Sequence, residues 1–188
     1  MRPESASRPF AARGFALPRV IMPTDLDRVP DPLPSIARLP AGSAVILRDR
    51  GHPDRAGWAA LLREATLAAG HLFLIANDPD LATAAMADGI HLAEADVGRV
   101  PPLGFTTAAC HSLEAVRRAE IAGADAVLLS PVFPTASHPG GRVLGLQRAR
   151  AIAAATVLPV YAMGGVTPAK AQLLGSGFAG FAAIAAFA

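Results

Sequence analysis

Residues 72–92 read LFLIANDPDLATAAMADGIHL. The run 72–76 is apolar throughout and stops at Asn77-Asp78-Pro79. An uninterrupted apolar run of this length suits a strand covered on both faces. Pro79 marks a helix start, because the first helical turn has no use for its missing N–H. Asp78, just before it, can accept a free backbone N–H as the N-cap. A short helical segment then leads to a second apolar run at 89–92. Strand, helix and strand in about 20 residues form a βα unit whose strands lie parallel.

The unit repeats in both directions. Apolar runs at 19–23, 44–48, 104–109, 126–129, 159–162 and 179–184 bring the total to eight. Between them, residues 53–69 carry Trp58, Leu61, Leu62 and Ala65 at helical spacing, and residues 112–122 carry Leu113, Val116 and Ala119 likewise. Thr167-Pro168 repeats the cap seen at Asp78-Pro79. Residues 94–103 are too short and proline-rich for a full helix. The pattern predicts an α/β fold, a compact TIM-type (β/α)8 barrel, rather than an open doubly wound sheet. Residues 1–16 read as a tail with an apolar patch around Phe10 and Phe15, and residues 17–188 as the barrel. Ala188 follows so soon after the last strand that the final helix is expected to be missing. The tail, further residues or a second copy in a homo-oligomer would then cover that side.

Composition narrows the function. Hydrophobic residues make up 52% of the 188 and aromatic residues only 5%, so small aliphatic side chains must build the interior. The formal net charge is +2 with the arginines scattered, which speaks against a broad nucleic-acid surface. Cys110 stands alone, so no intramolecular disulfide can form, and a reducing compartment is the default. The uncharged stretches 151–169 and 171–188 are broken by Pro159, Pro168, Gly164-Gly165, Gly175, Gly177 and Gly180, which suits buried strands better than a membrane span. No secretory leader is visible at the start. The expectation is a cytoplasmic protein acting on small phosphorylated molecules, with no nucleic-acid or membrane partner.

In such barrels the chemistry sits where strands end and βα loops begin. Arg48 and Arg50 fall after the second strand, Asn77 and Asp78 after the third, and Asp96 after the fourth. Arginines grip phosphate oxygens with paired donors. Asp78 and Asp96 can hold a Mg²⁺ that also bridges substrate phosphates. Each aspartate also has a plain structural reading, Asp78 as a cap and Asp96 as a solvated loop acid. Gly164 and Gly165 after the seventh strand let backbone N–H groups approach a phosphate, or simply make a tight turn. Residues 130–145 form a loop rich in Pro, Gly, Ser and Thr, with His138 and Arg142, long enough to close over a ligand. His111, on a strand end facing the proposed site, reads equally as a packed histidine or a ligand contact. His91, inside an apolar strand, reads as a hydrogen-bonded core histidine, and Cys110 as a packed thiol.

These segments resemble the thiamine phosphate synthase and TenI family. NDPDLATAAMADGIHLAEAD is similar to its Asn-Asp segment followed by Gly-Val-His-Leu-Gly-Gln-x-Asp. HSLEAVRRAEIAGAD also fits, GADAVLLSPVFPTASHPG matches its Gly-Pro-x-x-Pro-Thr loop, and PVYAMGGVTP its Ala-Ile-Gly-Gly-Ile stretch. The matches occur in the family's order from about the first strand to the eighth. The resemblance implies a Mg²⁺-dependent transferase joining hydroxymethylpyrimidine diphosphate to thiazole phosphate, with pyrophosphate leaving and the thiazole nitrogen capturing the pyrimidinyl-methyl cation. Arg48, Thr135 and His138 would be catalytic. Arg48, Arg50, Asn77, His111, Thr135 and Ser137 would bind substrate, as would Gly164 and Gly165, while Asp78 and Asp96 would hold the metal.

The sequence also departs from the family. Ile46 stands where the family has Gln, Ala109 and Ala185 replace serines, and His138 replaces the loop lysine. Ile46, Ala109 and Ala185 cannot donate side-chain hydrogen bonds. A TenI-like thiazole tautomerase and a non-catalytic phosphate-binding relative remain the alternatives. The metal acids, and Pro131 where the TenI loop histidine would fall, favour the synthase branch.

Overall fold

Eight parallel strands close into a barrel in sequence order, each paired with its chain neighbours and the last with the first. They are β1 (Val20–Pro23), β2 (Ala44–Leu47), β3 (Leu72–Ala76), β4 (Gly89–Leu92), β5 (Phe105–Cys110), β6 (Ala126–Leu129), β7 (Val160–Met163) and β8 (Gly180–Ala182). The structure is a computed structural model and describes residues 16–135 and 142–184. Among them are helices α1 (Leu33–Arg38), α2 (Arg55–Ala68), α3 (Pro79–Ala84), α4 (Leu113–Ile121), α5 (Leu146–Ala154) and α6 (Pro168–Ala171). Glu94–Asp96 makes only a 3₁₀ turn between β4 and β5, as the short proline-rich segment there implied. The expected tail falls almost wholly outside the described residues, and so does the question of a final helix.

Small differences from the expected bounds have local causes. The helix expected at 53–69 starts at Arg55, because Asp54 is its cap and accepts the Gly57 N–H at 2.8 Å. Asp78 and Thr167 cap α3 and α6 as their Pro partners implied, accepting from Leu81 and Lys170. The strand expected at 179–184 narrows to Gly180–Ala182.

Strand alternation sorts the side chains into two layers. Ile21, Ala44, Ile46, Leu74, Phe105 and Leu128 point into the barrel and form one buried cluster with Tyr161 and Ala182. The alternate residues, such as Val45, Leu47, Phe73 and Ile75, point outward against Leu62 of α2 and Ala82 of α3. Each large aliphatic buried this way contributes roughly 1.5–3 kcal/mol. Leu74→Ala, with no neighbour free to fill the gap, would cost about 2–5 kcal/mol.

Among the described residues, the N-terminal end of the barrel is packed with side chains. Tyr161 is fully buried there, and its hydroxyl donates to the Pro18 carbonyl oxygen at 2.6 Å. Burial raises the phenol's pKa, so it stays neutral. At the same end, Asp88 accepts the Phe73 N–H at 2.8 Å and pairs with Arg63, while Asp125 accepts the Thr106 N–H at 2.9 Å. The two Ala-Asp pairs that precede β4 and β6 thus each satisfy the start of the preceding strand, leaving the opposite end for function.

Candidate active site

Alternation decides which residues reach the C-terminal mouth. Continuing the inward phase of each strand by two residues leads from Ile46 to Arg48, from Gly89 to His91, from Thr107 to Ala109 and from Leu128 to Ser130. All four end positions line a cavity of about 810 Å³. Ala76, Met163 and Ile184 obey the same phase and make its floor largely apolar. Above that floor the lining turns cationic, with Arg28, Arg48, Arg50 and Arg142 and no Asp or Glu among the described lining residues. Such a cavity receives an anion attached to a flat or apolar body.

Arg48 is held by the loop after β1. Its backbone N–H donates to Thr24 Oγ1 at 3.0 Å, and its Nη2 donates to Asp25 Oδ2 at 2.6 Å. Arg50 is more exposed and lies 3.9 Å from Asp96 Oδ2. Asn77 takes a left-handed φ of +50°, which Asn tolerates better than most residues. Its Nδ2 donates to Asp96 Oδ2 at 2.6 Å, and its Oδ1 accepts the Ala93 N–H at 2.7 Å.

Asp78 carries two structural duties. Oδ1 accepts the Leu81 N–H, and Oδ2 forms an ion pair with Arg55, whose side chain is only 16% exposed. Neither Asp78 nor Asp96 lines the cavity itself, though Asn77 between them does. Among the described residues no cluster of three or more His, Cys, Asp or Glu could hold a metal. The donor chemistry still suits Mg²⁺, which binds through one or two carboxylates plus substrate phosphates and water rather than a full protein cage. A carboxylate offers about four lone-pair sites, so the bonds already made leave both aspartates some capacity.

His91 corrects the sequence reading. It is hydrogen-bonded as expected, Nδ1 to Thr107 Oγ1 at 2.9 Å, yet its ring opens on the cavity rather than the core. Burial, then the charges of Arg48 and Arg50, pushes its pKa down to about 4, so the ring is neutral at physiological pH. The missed signal was the two-residue alternation, which puts position 91 in phase with inward Gly89.

His111 lines the cavity beside β5 and is clamped by Glu94. One Glu94 oxygen accepts from the His111 backbone N–H at 3.0 Å and from ring Nδ1 at 2.7 Å, and the other accepts from Arg118 at 2.9 Å. Burial alone would raise the Glu94 pKa, but these bonds outweigh it and hold the carboxyl below its ordinary value. Cys110 is buried, and burial followed by the nearby Glu94 charge pushes the thiol up to about 12, so it is the packed group expected.

Thr135, Gly164 and Arg142 also line the cavity, while Ser137 and His138 lie outside the described residues. The glycine pair has a steric reason. At Gly164 (φ +87°) an added Cβ would fall 2.7 Å from Pro131, and at Gly165 (φ +62°) 2.2 Å from the Pro134 carbonyl oxygen. The loop after β7 therefore packs backbone to backbone against the loop after β6, with Phe133 N–H donating to Gly164 O at 3.0 Å. Arg28 and Asp25 escaped the sequence reading because nothing in their spacing marks them. Only the pairing of β1 with β2 brings them to the mouth.

Comparison with known proteins gives the same direction. A thiamine-phosphate synthase of Methanoculleus marisnigri is 43% identical over 164 residues, spanning 80% of this chain and 78% of the relative. The thiamine-phosphate synthase of Pyrococcus furiosus is 32% identical over 152 residues, spanning 77% of this chain and 73% of the relative. A solved structure of thiamine phosphate pyrophosphorylase from Pyrococcus furiosus superposes with a TM-score of 0.72 at 26% identity, covering 88% of this chain and 85% of that one. No helix among the described residues is long and apolar enough to cross a membrane. The family model described as thiamine monophosphate synthase matches residues 36–187, and the chain belongs to that family, TMP-TENI.

Proposed function

We propose that the protein is a thiamine phosphate synthase, joining hydroxymethylpyrimidine diphosphate to thiazole phosphate and releasing pyrophosphate. The observation that carries this reading is the cavity lining, rich in arginine and free of carboxylates among the described residues, over an apolar floor, with Asn77 linking the rim to Asp96. The reaction breaks the bond from the pyrimidine methylene carbon to the diphosphate oxygen, and the electron pair leaves with pyrophosphate. The thiazole nitrogen lone pair then forms the new C–N bond. Such chemistry asks for charge neutralisation on the leaving group and alignment of two rings, and needs no nucleophilic side chain.

Arg48 and Arg50 would bind the diphosphate, with Asn77 setting the position of Asp96. Thr135 and Gly164 lie on the β6 and β7 side, suited to the second phosphate. Mg²⁺, held by Asp96 and Asp78, would add positive charge to the departing pyrophosphate. A cytoplasmic location is part of the same reading and rests on the single buried Cys110. Pro131, with a cis Ser130–Pro131 bond, lines the cavity where a tautomerase of the TenI branch would need its histidine, which favours the synthase. The test is incubation of the purified full chain with both substrates and Mg²⁺, following thiamine phosphate and pyrophosphate together. No product at high enzyme concentration ends the synthase reading.

A further inference from the structure

We propose that Arg28 is a substrate-binding residue, the third guanidinium of a diphosphate clamp with Arg48 and Arg50, and that Asp25 is the positioning residue that sets it. The inference deepens the synthase reading and takes the identity of its ligand from that reading.

Arg28 belongs to the loop after β1, and several contacts make that loop rigid. Thr24 N–H donates to Ile46 O at 2.9 Å and Leu26 N–H to Asp49 Oδ1 at 3.0 Å, tying it to the end of β2. Within the loop, the Arg28 and Val29 N–H groups both donate to the Asp25 carbonyl oxygen, at 3.1 and 2.9 Å, forming a single helical turn. Val29 is buried, which anchors the turn and leaves Arg28 facing the cavity. An arginine on a solvated, unrestrained loop would show none of these ties.

Asp25 yokes the two arginines. Its Oδ2 lies 2.6 Å from Arg48 Nη2 and 3.5 Å from Arg28 Nε, and its own side chain is only 13% exposed. Arg48 donates to Asp25 Oδ2 and Arg28 Nε lies at ion-pair distance from the same oxygen, so the two nitrogens are at most about 6 Å apart. That spacing suits the terminal oxygens of two linked phosphoryl groups, whereas a single carboxylate ligand would engage one fork only. Asp25 also offsets the mutual repulsion of the arginines before a ligand arrives. One hydrogen bond from Arg48 and an ion-pair contact from Arg28 leave each guanidinium with N–H donors for the ligand, since it carries five.

The test is calorimetric titration of the full chain with inorganic pyrophosphate and, separately, with inorganic phosphate. Arg28→Ala should weaken pyrophosphate binding by about ten- to a hundredfold, and phosphate binding by much less. Arg28→Lys should recover only part of the loss, since a point charge lacks the fork. Arg38→Ala, which removes the same charge from α1 away from the cavity, serves as the control. Asp25→Asn should raise KM for the diphosphate substrate with a smaller change in kcat. A pyrophosphate Kd within twofold of wild type in Arg28→Ala, equal losses in Arg28→Ala and Arg38→Ala, or no pyrophosphate binding by the wild type would each overturn the proposal. If the chain makes no thiamine phosphate yet binds pyrophosphate through Arg28, the clamp stands and the synthase reading alone falls.

Discussion

Asn77 and Asp96 form a fixed pair across the loops after β3 and β4, with the amide donating to the carboxylate at 2.6 Å. The amide cannot flip, because its oxygen already accepts the Ala93 N–H. Asn77→Ala therefore frees the Asp96 carboxylate to rotate and places an unfavourable side chain at φ +50°. A stability loss of about 1–2 kcal/mol is expected from the strain and the lost bonds. The Mg²⁺ concentration for half-maximal turnover should rise severalfold. An unchanged Mg²⁺ dependence would show that Asp96 takes no part.

The two aspartates should behave differently when removed. Asp78→Ala deletes the cap of α3 and strands Arg55, a largely buried cation, so a loss of about 2 kcal/mol or more is expected. Asp96→Ala loses the Asn77 hydrogen bond but no helix cap and no buried ion pair, so it should cost about 1 kcal/mol, less than Asp78→Ala, while abolishing any Mg²⁺-dependent turnover. Urea denaturation of both variants separates the outcomes. Equal stability would mean that the Arg55 latch contributes nothing.

His91 gives the protein an acid limit. Its folded pKa is about 4, so between pH 6.5 and that value the unfolded chain binds a proton that the folded chain refuses. Stability from this group is complete above the unfolded value and declines as pH falls, by at most about 1.4 kcal/mol per pH unit. His91→Gln, which cannot titrate, should flatten the fall in Tm between pH 6.5 and 4.5 relative to wild type. Parallel curves would remove His91 as the cause.

Ala109 lines the cavity on β5, two residues beyond the Thr107 that holds the His91 ring. If the ligand's ring is as polar as an aminopyrimidine, Ala109→Ser offers it a hydrogen bond and should raise kcat/KM by roughly three- to tenfold. A decrease would mean that the ligand's body is less polar than the synthase substrate.

Much of the barrel was legible because apolar runs repeat with nearly constant spacing and proline-marked caps lie beside them. Asn77-Asp78-Pro79 alone located a strand end, a cap and part of the mouth. The site was legible only where one loop carried it. Arg48, Arg50, Asn77 and His111 each lie at or just beyond a strand end and could be named from local pattern. Arg28 and Asp25 could not, since their meeting with Arg48 spans twenty or more residues and depends on the pairing of β1 with β2. His91 was misassigned for a different reason. Hydropathy along a strand buried on both faces no longer distinguishes inward from outward, and only the phase of its neighbours does.

The Tyr161 plug at the far end has a kinetic corollary. Among the described residues the base of the vessel is stoppered, so molecules that use this cavity enter and leave past the arginines at its mouth. Where one ring settles beneath the other in such a vessel, the lower one comes in first and goes out last, whatever their affinities.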